Sequence, residues 1–430
     1  MNPAPAKPRL STCAGGAVRA RVPAAMTARF LPCLLAFCCF SSAARLSAAP
    51  AAKDELLDRL PAIFAAAEKQ YDHLLTLAAS DPGIPRRFEN GKFITVNPED
   101  WTSGHFPGAV WYLYDYTRSP KWRSVAEDYT HRLERIRHFT GNHDIGFMLY
   151  CSYGNELRLT GSPAAKAVLL DGCAAAIKRY NPKVGAIMSW NPRKEKQWQY
   201  PVIIDNMMNL ELLMWGAKNG GSATYREVAL HHADKTNANH YRPDSSCYHV
   251  VSYAPETGLP ERKNTSQGFA DDSAWARGQS WGLYGYTMMF RETGQKDYLA
   301  RARAVADFLI NHPRLPADKV PYWDYDAPSI PDAPRDASAG AIMASALIEL
   351  STQVGGSKGA GYLAIARQQL LTLASPAFTA KPRENGGFIL LNSVGSLPAK
   401  SELSVTLNYA DYYYLEALLR YRAKVGGGRS

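Results

Sequence analysis

A chain of 430 residues, 46% of them hydrophobic, is long enough for one large core or two ordinary ones, which excludes disorder over most of its length. The formal charge of +10 overstates the basicity of the folded part, because six of the 49 Lys and Arg residues (Lys7, Arg9, Arg19, Arg21, Arg29, Arg45) lie before residue 50, where there is no acid at all. The remaining 43 bases against 39 acids form no basic run or stripe, a balance that suits an acidic small substrate and gives no support to nucleic acid as a partner.

Residues 1–49 read as an N-terminal extension followed by a secretory signal peptide. Met26–Arg29 is short and basic, Phe30–Phe40 is apolar, and Ser41–Ala49 is rich in small residues. The apolar run is too short to span a bilayer comfortably, so the mature protein is expected to be periplasmic or secreted, with no membrane span. Cys13, Cys33, Cys38 and Cys39 leave with this leader. Cys151, Cys173 and Cys247 are then an odd, sparse set, expected to be buried free thiols rather than a disulfide framework or a zinc site.

Between residues 50 and 424 the apolar residues recur with helical period in about twelve segments. These fall near 54–79, 105–117, 121–139, 146–160, 163–180, 205–218, 222–240, 275–293, 296–312, 336–353, 358–376 and 408–424. Strand signals are weak and confined to loops, for example Phe388–Leu391. Residues 425–430 read as a disordered tail.

Short breaks at Thr117–Pro120, Thr160–Pro163, Asn219–Ser222, Thr293–Gln295 and Val354–Ser357 join helices in pairs, Gly or Pro ending one helix and starting the next. The breaks have no fixed period, which argues against a solenoid. Tight turns at one end of each pair and long inserts at the other point to an all-α (α/α)6 barrel in a single domain, with function on the long-loop face.

In such a ring every second helix starts on the same face, which gathers Gly104–His105, His143–Asp144, Asp205–Asn206, Asp271–Asp272, Arg335–Asp336, Asn408 and Asp411. The plainest role for an Asp before a helix is an N-cap, worth about 1 kcal/mol. Asp205 differs in its setting, Pro201-Val-Ile-Ile-Asp-Asn-Met-Met-Asn209. Aliphatic flanks should desolvate the carboxyl, raise its pKa and keep it protonated as a general acid. Asp144 heads the helix one hairpin earlier, and two carboxyls in one cleft are the usual equipment for acid/base work on sugars.

Trp101, Phe106, Trp190, Trp198, Trp275 and Trp281 lie in or beside the long inserts. Indoles stack on the C–H faces of sugar rings, whereas Trp111, Trp122 and Trp215, inside helices, are assigned to the core. In Trp275-Ala-Arg-Gly-Gln-Ser-Trp281, Arg277 offers two parallel hydrogen bonds to a substrate carboxylate, or else pairs with Asp271, Asp272 or another acid of the fold. The histidines show no metal spacing, and the chain carries no nucleophile elbow, phosphate loop or dinucleotide fingerprint. No metal and no cofactor are expected.

Trp101–Gly108, His143–Phe147, Ile204–Asn209, Trp275–Gly282 and Tyr409–Glu416 together resemble the unsaturated glucuronyl hydrolases, glycoside hydrolase family 88, over about residues 90–420. The resemblance implies an (α/α)6 barrel acting on lyase-generated acidic oligosaccharides whose terminal uronate carries a C4=C5 double bond. It implies Asp205 as general acid/base and Asp144 as its catalytic partner. It places His143, Trp190, His249, Gln267, Trp275, Arg277 and Trp281 around the unsaturated sugar, with Trp101 and Phe106 at the cleft mouth. The loop Leu391–Leu397 matches a region that contacts the next sugar, giving Asn392 and Ser393 as binding candidates. A Ser-x-x-Ser-x-Lys sulfate pattern found there in relatives falls on Asn392, Gly395 and Leu397, which argues against a preference for 6-sulfated units, although a one-residue shift of the match brings Ser393 and Ser396 into play. Two alternatives stand beside this reading: an unsaturated rhamnogalacturonyl hydrolase, and a non-catalytic acidic-glycan-binding protein. A monomer or a dimer fits equally.

Overall fold

The predicted breaks between paired helices are helix stops made by left-handed residues and helix starts made by proline. In the computed structural model, which describes residues 53–427, Arg118, Gly161 and Gly294 take positive φ and close α2 (His105–Thr117), α5 (Asn155–Thr160) and α9 (Ala276–Thr293). Pro120 and Pro163 open α3 (Pro120–His131) and α6 (Pro163–Ala176). The leader over 1–49 lies outside the described residues. So do residues 428–430 of the tail, whereas Val425 still belongs to the last helix.

The remaining helices are α1 (Glu55–Ala78), α4 (Ile145–Leu149), α7 (Asn206–Lys218), α8 (Ala223–Asn239), α10 (Lys296–Asn311), α11 (Ala337–Val354), α12 (Gly356–Leu373) and α13 (Asn408–Val425). The inner ring runs α2, α4 with its π-turn and α5, α7, α9, α11 and α13, and α13 returns to α2. The partners α3, α6, α8, α10, α12 and α1 form the outer ring. Burial follows this division. α1 buries a single stripe (Leu56, Leu60, Phe64, Ala67, Tyr71, Leu74, Ala78), whereas α9 and α11 are buried almost all round. The chain is an (α/α)6 barrel.

The structure departs from the predicted elements in four places, the first being 163–180, where the helix ends at Ala176 and a 3-10 turn leads into a strand at Tyr180. The segment 121–139 stops at His131 and continues only as a short 3-10 turn, and 146–160 is interrupted by a π-turn over Tyr150–Gly154. Phe388–Leu391 is not a strand. Leu390 makes one bridge to Thr379, and pairing begins at β8 (Ser393–Ser396) with β9 (Ser401–Val405). The other strands form β1 (Ile84–Glu89) with β2 (Lys92–Val96), β3 (Tyr180–Asn181) with β4 (Ala186–Ile187), and the antiparallel set β5 (Pro201–Ile203), β6 (Val250–Tyr253) and β7 (Pro260–Asn264). All lie in the inserts, where they fix loops that helical periodicity cannot place. Cys151, Cys173 and Cys247 are free and buried.

Candidate active site

β5 delivers Asp205 to the head of α7. Its pairing with β6, Ile203 opposite Val250, continues as a hydrogen bond from the Ile204 N–H to the His249 carbonyl at 3.0 Å. Strand register thus sets His249, 44 residues away, beside Asp205. The His249 Nδ1 accepts the backbone N–H groups of Ser266 (3.1 Å) and Gln267 (3.2 Å), so in the neutral ring the proton sits on Nε2. That Nε2 lies 3.7 Å from Asp205 Oδ2. Burial, with Arg277 nearby, pushes the imidazole well below its usual pKa, and the ring stays neutral.

Neither Asp205 nor Asp144 caps its own helix with its side chain. Asp54 and Asp336, by contrast, accept the N–H of Leu56 (2.9 Å) and of Ser338 (3.0 Å). Burial raises Asp205 to about 7 against the opposing pull of Arg277 and the Trp281 indole, as its aliphatic flanks predict. Asp144 is raised well above the carboxylate range, first by burial and then by Asp205. His143 Nε2 stands 3.3 Å from Asp144 Oδ1, and burial lowers that ring to about 3. Asp205 Oδ2, His249 Nε2, Trp281 Nε1 and both His143 nitrogens are buried without a hydrogen-bond partner. Orphaned polar atoms are costly, about 1–3 kcal/mol each. Their convergence marks a place built to receive a polar ligand.

Aromatic rings line the place. Trp275 packs on His249 with centroids 4.5 Å apart, and Trp190 meets His249 edge-on at 5.9 Å and stacks on Trp198 at 5.6 Å. Trp281 packs on Phe147 (5.2 Å) and Tyr413 (5.3 Å), forming a floor. Trp101, half-buried, lies against Tyr409 (4.9 Å) and Phe147 (5.6 Å). Gln267 reaches across to the Gly395 carbonyl at 3.0 Å, tying two inserts together.

Three expected binding residues are placed differently. Phe106 is wholly buried, stacked on Tyr71 (5.6 Å) and edge-on to Tyr129 (4.7 Å). It belongs to the core between the two rings rather than to the cleft mouth, because α2 is packed on both sides. The fork of Arg277 is already occupied, by Asp336 at 3.1 Å and by the carbonyls of Val394 and Gly395. Only its Nε remains without a partner, so the two-bond clamp expected for a substrate carboxylate is made here to the protein. Asn392, with φ of 60°, donates its amide to the Ala377 carbonyl at 2.9 Å and serves the loop. Ser393 is buried and its hydroxyl is unpartnered.

Asn209 and Tyr409 were absent from the expected site, whereas Trp198, expected among the cleft indoles, is buried and joins the site by stacking on Trp190. Asn209 carried a signal, since it follows Asp205 by one helical turn and so shares its face. A cavity of about 800 Å³ is lined by Phe147 and Tyr413 of the Trp281 floor and by Tyr150, Trp215, Tyr284 and Glu416 among others. Its three acids are all engaged, Glu416 by Tyr112 (3.0 Å) and Tyr284 (3.1 Å), Asp115 by Arg118 and Arg158, and Glu211 by Arg291, so volume and unsatisfied chemistry do not coincide. Among the described residues no cluster of His, Cys, Asp and Glu could hold a metal ion, and no helix is long and apolar enough to cross a membrane.

A carboxyl whose proton affinity burial raises to about 7, with a second acid that it acts on and indoles around it, is the equipment of an acid/base hydrolase of carbohydrates. The profile described as Glycosyl Hydrolase Family 88 matches residues 79–413, and the chain belongs to this family of glycoside hydrolases. It is 41% identical over 360 residues to an unsaturated glucuronyl hydrolase of Formosa agariphila, covering 83% of this chain and 89% of that one. The corresponding enzyme of Bacillus sp. strain GL1 is 34% identical over 79% of this chain and 90% of its own. A crystal structure of an unsaturated glucuronyl hydrolase specific for heparin superposes with a TM-score of 0.80 at 45% identity, covering 84% of this chain and 96% of that one.

Proposed function

We propose that the protein releases the terminal 4,5-unsaturated uronic acid from lyase-generated glycosaminoglycan oligosaccharides, with Asp205 as proton donor. The observation that carries the reading is the approach of the unpartnered His249 Nε2 to Asp205 Oδ2 at 3.7 Å, with the Trp281 indole acting on the same carboxyl. The substrate's C4=C5 bond is a vinyl ether. Asp205 transfers its proton to C4, and the positive charge that develops at C5 is shared with the ring oxygen. Water adds at C5 and returns a proton to the Asp205 carboxylate. The resulting hemiketal opens, and the neighbouring sugar leaves from the anomeric carbon. Burial and Asp205 itself shift Asp144 toward its uncharged form, which limits its repulsion of the negative charge that Asp205 acquires. The carboxyl-separation rule for retention or inversion has no bearing, because the anomeric carbon is not attacked directly.

The heparin-specific relative favours unsaturated heparin disaccharides as first substrates. The test is the ultraviolet absorbance of the double bond on incubation with purified protein. Absorbance falls if the reading holds and rises if the protein is a lyase. Binding without any change would make it a glycan-binding protein. We further place the mature protein in the periplasm or outside the cell, on the leader at residues 1–49. N-terminal sequencing of the fractionated protein checks this, and an uncleaved cytoplasmic chain would contradict it.

A further inference from the structure

We propose that Asn209 is a positioning residue that caps α4 from the neighbouring helix and thereby frees and orients the Asp144 carboxyl. The inference rests on the proposed roles of Asp144 and Asp205. Its basis is a substitution of one cap for another. Asp144 occupies the N-cap position of α4 yet makes no side-chain bond to that helix. The first-turn N–H it would ordinarily hold, that of Phe147, goes instead to Asn209 Oδ1 at 2.8 Å. The same amide turns its Nδ2 toward Asp144 Oδ1 at 3.5 Å. One side chain therefore takes over the capping and donates to one carboxyl oxygen, which His143 Nε2 approaches at 3.3 Å, while no hydrogen bond engages Oδ2 among the described residues.

The geometry leaves little play. A Cβ at Gly146 would fall 2.7 Å from both the Cα and the Oδ1 of Asn209, so α4 and α7 meet at a distance only glycine permits. Asn209 stands one turn beyond Asp205 on α7, and this contact links the segments carrying the two acids. A carboxylate at N-cap satisfies orphan amides so well that Asp144 would be drawn away from the cleft without a substitute.

Two variants separate capping from orientation. Asn209→Asp keeps an acceptor for the Phe147 N–H but removes the donor to Asp144, whereas Asn209→Ala removes both. The proposal expects Asn209→Asp to melt near the wild-type temperature while kcat falls roughly 10- to 100-fold with KM changed less than about threefold, since misplacement of order 1 Å has that effect. Asn209→Ala loses stability as well. Wild-type kcat in a normally folded Asn209→Asp protein would overturn the proposal.

A second readout does not depend on turnover. Besides Asn209, Asp144 feels Asp205, Asp100, Arg179 and the neutral His143, and the Asn209 hydrogen bond works against the upward shift. In carboxyl-carbon NMR, Asn209→Ala should move the Asp144 titration to higher pH. An unmoved titration would overturn the proposal even if the wild-type protein turned over no unsaturated disaccharide. That last result would remove the functional reading alone.

Discussion

Asp205 and Asp411 are both buried, and burial lifts each to about 7. What separates them is what their oxygens do. Asp411 accepts the Ile389 and Leu390 N–H groups, each at 2.9 Å, and the Tyr71 hydroxyl at 3.4 Å; it anchors the insert before β8. Asp205 has an oxygen with no partner, facing a neutral imidazole and an indole N–H. A shifted proton affinity thus marks burial, and a carboxyl oxygen left without a partner beside other unpartnered polar atoms marks a site.

The strongest way to break this comparison is to neutralise both acids. Asp205→Asn should lower kcat about 10³-fold, within the usual range for a general acid, with little change in binding. Asp411→Asn should keep kcat within a few-fold where it is folded. It should lower unfolding stability by about 1–3 kcal/mol in a denaturant titration, because an amide cannot accept at both oxygens. Activity retained in the first or lost in a folded second variant would reverse the assignment.

The aromatic residues allow a parallel contrast. Phe106→Ala should cost about 3–5 kcal/mol of stability and leave KM unchanged. Trp190→Ala should raise KM about tenfold, a change worth about 1.4 kcal/mol, and hardly alter stability. Melting curves and steady-state kinetics on the two variants decide it.

The smallest effect is on stability against pH. Asp205 has its proton affinity raised from 3.8 to about 7 on folding, so its stabilising contribution is complete below about 3.8 and is lost as pH rises through about 7. Asp205→Asn, which carries no charge to bury, should therefore melt roughly 1–3 °C above wild type on the alkaline side and lose that advantage in acid. Asp411→Asn should show no such gain, since the hydrogen bonds it gives up outweigh the relief.

Much of this was legible in the chain. Helical period and turn residues carried the barrel, because inner and outer helices bury stripes of different width. The aliphatic flanks of Asp205 carried its shift. The hairpin order put Asp144 on the same face. What resisted reading came from the inserts and from helices packed on every side. Arg277 was offered either to a substrate or to an acid of the fold, and the acid proves to be Asp336, 59 residues on, joined by the carbonyls of Val394 and Gly395, and a carbonyl leaves no trace in residue identity. Phe106 sits in a helix apolar all round, where hydrophobicity cannot tell the cleft side from the outer ring. His249 reaches Asp205 through the register of two short strands, which periodicity does not detect; only the family resemblance pointed to it.

The central claim, that Asp205 acts in its protonated form, is tested most directly by kcat/KM for an unsaturated disaccharide across pH. This quantity reports the groups of the free enzyme. The account predicts a plateau in mild acid and an alkaline decline centred at about 7, with Asp205→Asn lower by about 10³-fold and without that decline. Activity that persists unchanged well above that pH, or a residual Asp205→Asn activity with the same profile, would contradict it.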